Sequence, residues 1–294
     1  MKNTIKILTR TVVIALIIMG MAACNPKPTS IRGISVSIQP QKYIVEQLMG
    51  DTIPINVLIP KGSSPATYAP SPSQIKSLSE STLYLRIGHI GFEEAWIPRI
   101  KEINPHLKIE DTSTGISYIR GEDHYHGDHV HKGGIDPHIW TSPKTMITVI
   151  KNTQEALTTA FPQNKENIIE NGKALLNKVS QLDEKYAHTL ETVQKRRFYI
   201  FHPAYTYLAR DYGLQQISIE DKGKEPSAQW LRQLIDKGKE QETQAIFIQE
   251  EFDQRNAEII SNELNIPIVK VNPLSEDWFT EMNLLLGKLE KNLR

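Results

Sequence analysis

The sequence predicts an α/β protein of two lobes with one long helix between them. Three observations carry this. Short apolar runs alternate with amphipathic stretches from residue 31 to about 141; residues 142–194 show helical spacing with no strand among them; and the alternation resumes at residue 197 and continues almost to the end. Strands that alternate with helices pair side by side in a parallel or mixed sheet and bury both faces under the helices. On this pattern alone, a single doubly wound sheet with a helical insertion remains the other layout.

The chain begins with three basic side chains (Lys2, Lys6, Arg10), a short apolar run and the small residues Met21-Ala22-Ala23 before Cys24. A spanning helix needs about 20 apolar residues. The run is shorter, so residues 1–23 read as a lipoprotein signal peptide, Cys24 as the lipidated first residue of the mature chain, and residues 24–30 as a tether to the membrane. Residues 31–160 then form the first lobe, 161–195 the linking helix and 196–294 the second lobe.

In the first lobe, ISVSI (Ile34–Ile38) alternates with period two, and the following QKYIVEQLMG has helical spacing closed by Gly50. The same unit recurs as INVLIP before SPSQIKSLSE and as LYLRIG before FEEAWIPRIKEI; LKIED then leads into a histidine-rich stretch. TMITVIKNTQEALTTAF and the long polar-faced run from Asn164 to Gln194 are two helices separated at Pro162. The second lobe repeats the unit four times: RFYIF with AYTYLARDYG, LQQISI with SAQWLRQLIDKG, QAIFIQ with QRNAEIISNELN, and IPIVKV with a closing helix from Asp277.

Charge and cysteine content narrow the chemistry. The chain has 34 basic and 34 acidic residues; without residues 1–23 it keeps 31 basic and 34 acidic. No basic face for nucleic acid follows from this. Cys24 is the only cysteine, so the mature domain has no intramolecular disulfide, and a metal site must use nitrogen and oxygen ligands.

Five of the nine histidines lie between His124 and His138. Their settings differ. His138 sits in Asp136-Pro137-His138-Ile139-Trp140, where a turn packed on an aromatic ring can hold an imidazole still, as tight binding requires. His124, His126, His129 and His131 lie among Gly, Asp and Glu, and read as a mobile loop that collects zinc weakly. His202 follows the strand RFYIF directly, and strand ends in such sheets face the ligand crevice. Glu250 or Glu251, after AIFIQ, and Glu220, after QQISI, reach the same crevice. The bland readings are a solvated polar linker for the four loop histidines, a helix-capping or core histidine for His138, a structural histidine for His202 and a helix cap for the strand-end carboxylates.

With these residues in view, the chain resembles the substrate-binding lipoproteins of zinc and manganese ABC importers. The resemblance rests on ordered segments over the whole mature chain: GSSPATYAPSPSQIKSL, GFEEAW, the histidine-rich stretch with DPHIW, FHPAYTYLARDYGL, GKEPSAQWL, IFIQEEF and VNPLSEDW. It implies two α/β lobes joined by a rigid helix, with one metal in the cleft between them and ligands at His138 and His202. Two further family ligand positions hold Ala66 and Asn272 here. Glu251 is the first candidate to compensate, His89 the second and Glu220 the third, while His106 and His188 are expected at the surface.

The resemblance implies a monomeric, extracytoplasmic protein, anchored by lipid at Cys24, that captures Zn²⁺ and hands it to an ABC permease with its ATPase, and that is not an enzyme. Imidazole ligands favour zinc over Mn²⁺. Two rival functions are a zinc hydrolase, for which the sequence offers neither a His-Glu-x-x-His helix nor a Gly-x-Ser-x-Gly turn, and a manganese-binding or adhesin lipoprotein.

Overall fold

A computed structural model describes residues 33–293 apart from 51, 52, 64, 66, 67, 122, 123, 127, 128, 132, 133 and 222; at 124–126 and 129–131 it describes the backbone. The expected signal peptide, Cys24 and the tether lie outside these residues, as does Ala66. No helix among the described residues is long and apolar enough to cross a membrane.

The first sheet contains β1 (Ile34–Val36), β2 (Ile55–Val57), β3 (Leu83–Arg86) and β4 (Lys108–Asp111), all parallel in the order β2-β1-β3-β4. β1 is buried along its whole length, as a strand covered by helices on both faces must be. Its helices are α1 (Gln39–Met49), α2 (Pro72–Ser79) and α3 (Gly91–Ile103). The start of α2 is a reciprocal cap: Gln74 N donates to Ser71 Oγ and Ser71 N donates to Gln74 Oε1.

The helical stretch comprises α4 (Pro143–Ala160) and α5 (Lys165–Glu191). α5 buries Ile168, Leu175, Val179, Leu182, Tyr186 and Leu190, a stripe at helical spacing. It touches both lobes. Asn171 Nδ2 donates to Leu48 O of α1 at 3.1 Å, and the Tyr186 hydroxyl donates to Met282 O at 2.5 Å on the last helix.

The second sheet repeats the first architecture. Its strands β7 (Arg197–Ile200), β8 (Gln215–Ser218), β9 (Ile246–Gln249) and β10 (Ile268–Val271) are parallel in the order β10-β9-β7-β8. The helices are α6 (Thr206–Tyr212), α7 (Ala228–Glu240), α8 (Arg255–Leu264) and α9 (Trp278–Asn292). α6 ends at Gly213 in the left-handed region, where glycine avoids the Cβ penalty. Two separate parallel sheets with a long helix between them exclude the single-sheet layout.

The histidine-rich stretch departs from expectation. It is not an irregular loop: β5 (His124–His126) and β6 (His129–His131) pair antiparallel, matching His124 with His131 and His126 with His129. The same register continues below them, with a bridge between Arg120 and Ile135 and hydrogen bonds from Gly121 N to Gly134 O and from Asp136 N to Ile119 O, both 2.9 Å. Gly-rich composition hid a ladder whose alternation is His-x-His on both sides.

Candidate metal centre

His138 and His202 come together. Their ring centroids lie 5.1 Å apart, edge to face at 68°, and each ring is fixed from behind by a carboxylate. Asp136 Oδ1 lies 2.8 Å from His138 Nδ1 and also accepts the His138 backbone N–H at 2.9 Å. Glu220 Oε2 lies 2.9 Å from His202 Nδ1. An ionised carboxylate only accepts, so each Nδ1 carries the proton and each Nε2 offers its lone pair. The Nε2 of His202 is buried and has no hydrogen-bond partner. Burial of this kind is costly unless something occupies the lone pair.

The backbone explains the rigidity of both residues. His138 is buried and precedes the short turn Ile139–Thr141. Trp140 Nε1 donates to Pro273 O at 2.8 Å, Trp278 Nε1 donates to Trp140 O at 2.7 Å, and the Thr141 hydroxyl lies 2.8 Å from both His138 O and Ala204 O. His202 stands just beyond β7, with its ring stacked on Phe252 at 5.6 Å. The buried Gln249 side chain clamps its backbone: Nε2 donates to His202 O at 2.7 Å, and Oε1 accepts His202 N at 3.4 Å.

The electrostatics suit a cation. Burial acts to raise the Asp136 carboxyl, yet the hydrogen bonds and charge of His138, with a hydrogen bond from the Thr206 side chain, outweigh it and hold it below the usual range. Glu251 is half-buried in the turn after β9, and burial raises its carboxyl; Glu250 adds to the rise, while His202 and His138 pull it down. Glu251 therefore lies in the field of both imidazoles. Glu250 is exposed.

The other candidates stand elsewhere. Glu220 is behind the His202 ring, in an orienting position. His89 follows β3 in the left-handed region at φ 61°; its ring packs edge-on against Tyr118 at 4.6 Å, with Nδ1 3.5 Å from Glu94 Oε1. On α3, which follows His89, the buried Glu93 accepts the amides of Ile87 and Gly88 at 2.9 and 2.8 Å and the hydroxyl of Ser37. Asn272 Oδ1 accepts Leu274 N, closing its own turn. His106 and His188 are exposed. Among the described residues, no three His, Cys, Asp or Glu side chains converge as a ready-made metal cluster.

Sequence reasoning missed Asp136, Gln249 and Phe252 as supports of the two rings. Asp136 had a signal, since an Asp two residues before a buried ligand can bond both its amide and its ring. Gln249 and Phe252 had none, because strand register alone brings them to His202.

The family model described as "Zinc-uptake complex component A periplasmic" matches residues 34–293. The chain belongs to this family. It is 28% identical to the high-affinity zinc uptake system protein ZnuA of Bacillus subtilis, over 95% of this chain and 92% of that protein. It is 29% identical to the zinc-binding lipoprotein AdcA of Streptococcus pneumoniae over 89% of this chain, but spans only 54% of AdcA's length. A crystal structure of ZnuA superposes with a TM-score of 0.82 at 34% identity, covering 90% of this chain and all of that one. A zinc-bound ZnuA deletion mutant gives 0.80 at 33% identity, over 90% and 98% of the two chains. A solute-binding family thus frames the two-lobe fold and the paired histidines.

Proposed function

We propose that the protein captures Zn²⁺ outside the cytoplasm and delivers it to an ABC permease with its ATPase. The carrying observation is the pair of neighbouring imidazoles, His138 buried and His202 half-buried, with a carboxylate on each Nδ1, an arrangement that leaves the Nε2 of each ring as the metal donor. A carboxylate bonded to the outer nitrogen of a ligating histidine raises the basicity of the other nitrogen and holds the ring. Nitrogen donors favour zinc over manganese, and zinc takes three or four ligands. Glu251 supplies the third by rotating toward the pair; His89 is the next candidate. The family match, the zinc-named relatives and the zinc-bound ZnuA structure support this reading.

The protein performs no reaction in this reading and acts as a monomer. Lipid on Cys24 holds it at the membrane, which agrees with the lipoprotein name of the pneumococcal relative. Residues 31–160 and 196–294 act as the two lobes around the cargo, and the histidine-rich hairpin is a second, weaker collector.

The test is a competitive Zn/Mn titration of the purified mature chain, followed by native mass spectrometry. One tightly held zinc that survives equimolar manganese is expected. A preference for manganese, or no tight ion at all, would overturn the proposal.

A further inference from the structure

The ladder that carries the histidine-rich hairpin is interrupted at its root by a side chain from the second lobe. Ile119 and Asp136 face each other, and in an antiparallel pair of this type the two residues exchange both N–H···O bonds. Only one is direct, from Asp136 N to Ile119 O at 2.9 Å. In place of the other stands the Tyr207 hydroxyl, which accepts Ile119 N at 3.2 Å and donates to Asp136 O at 2.7 Å. Tyr207 is fully buried and lies on α6, the helix that follows His202. The residue whose carbonyl it holds is the one whose carboxylate holds His138.

We propose that Tyr207 is a positioning residue for the zinc site: its inserted hydroxyl keeps the ladder open by one oxygen, and so sets Asp136 at the distance that fixes the His138 ring. The inference rests on the zinc-capture reading above. Without the hydroxyl, Ile119 N closes directly onto Asp136 O, as the register invites, and draws the Asp136 backbone toward Ile119. The carboxylate then follows its backbone away from the imidazole. A neighbouring tie serves as a control for packing on the ring, because Arg210 Nη1 donates to Ser117 O at 2.7 Å and its guanidinium lies 4.9 Å over the Tyr207 ring, so that it holds the same root with no bond to Asp136.

Tyr207→Phe keeps the ring and removes one oxygen. Loss of a group that orients a ligating histidine costs about 10–100-fold in metal affinity; acting one residue further back, Tyr207→Phe should weaken tight zinc binding by about tenfold, measured by competition with a fluorescent chelator on the mature chain. In an Asp136→Ala background the same change should add less than about twofold, since contacts in one network are non-additive. Arg210→Met should leave affinity unchanged. Unchanged binding by Tyr207→Phe, equal losses in both backgrounds, or an Arg210→Met loss as large as that of Tyr207→Phe would each overturn the proposal. If Tyr207→Phe fails to fold, the Asp136→Ala protein decides by amide exchange: retained protection of Ile119 N–H is expected, because its acceptor is Tyr207, and loss of that protection would sink the idea. Failure of the wild type to hold zinc would instead end the zinc-capture reading itself.

Discussion

Glu220 Oε2 lies 2.9 Å from His202 Nδ1, the same relationship that Asp136 Oδ1 has to His138 Nδ1. In the zinc-capture reading Glu220 orients His202, and its neutralisation should act through that ring. Glu220→Gln keeps the shape and loses the charge; zinc affinity should fall by about 10–100-fold, with secondary structure unchanged by circular dichroism. A wild-type affinity would show that Gln249 and Phe252 hold the ring unaided.

His138→Ala and His202→Ala each remove one of two nitrogen donors. The tight zinc should be lost in both, a fall of more than about a hundredfold by competitive titration. Retention of the ion in either variant would move the site away from the pair.

Glu251→Gln should weaken zinc less than either histidine variant, and Glu250→Gln least of all, because only Glu251 is half-buried and in the field of both rings. Equal effects from the two glutamates would mean that general negative charge, and not ligation, is at work.

Deleting residues 122–132 should reduce the number of zinc ions bound, counted by native mass spectrometry, while the tightest ion stays. Disappearance of the tightest ion would place a hairpin histidine in the site.

Glu93 gives the first lobe a pH signature. Burial pushes its carboxyl from the ordinary 4.5 to about 7, against the lowering effects of Ser37, the Ile87 and Gly88 amides and Arg86. Between these values the folded protein holds a proton that the unfolded chain has released. Stability therefore falls as pH rises from about 4.5 to about 7. Comparing melting temperatures of wild type and Glu93→Gln over that window should show a steeper decline in the wild type; parallel curves would mean that Glu93 stays ionised.

Much of this was legible in the sequence. The strand and helix order follows hydrophobic periodicity, which strict burial of β1 and the α5 stripe both express. His138 and His202 stood out because an Asp-Pro turn and a strand end are local signals. What stayed hidden depends on registry between distant segments: Gln249 reaches His202 only because β9 pairs with β7, and Tyr207 reaches Asp136 only because α6 packs on the hairpin root. The hairpin itself was hidden for another reason. Glycine and aspartate weaken strand propensity, and the pairing of histidine with histidine appears only once the register is known.

The ties of Trp140 and Thr141 to Pro273, Trp278 and Ala204 have a bearing on protein engineering. By chain order His138 belongs to the first lobe, yet its turn is bolted to parts of the second. A chimera that exchanged only residues 196–294 between family members would pair a foreign lobe with a native histidine turn and break the fit between them. Metal preference should travel intact only when residues 136–142 are grafted together with the second lobe, so the unit of inheritance for this site is discontinuous in the chain.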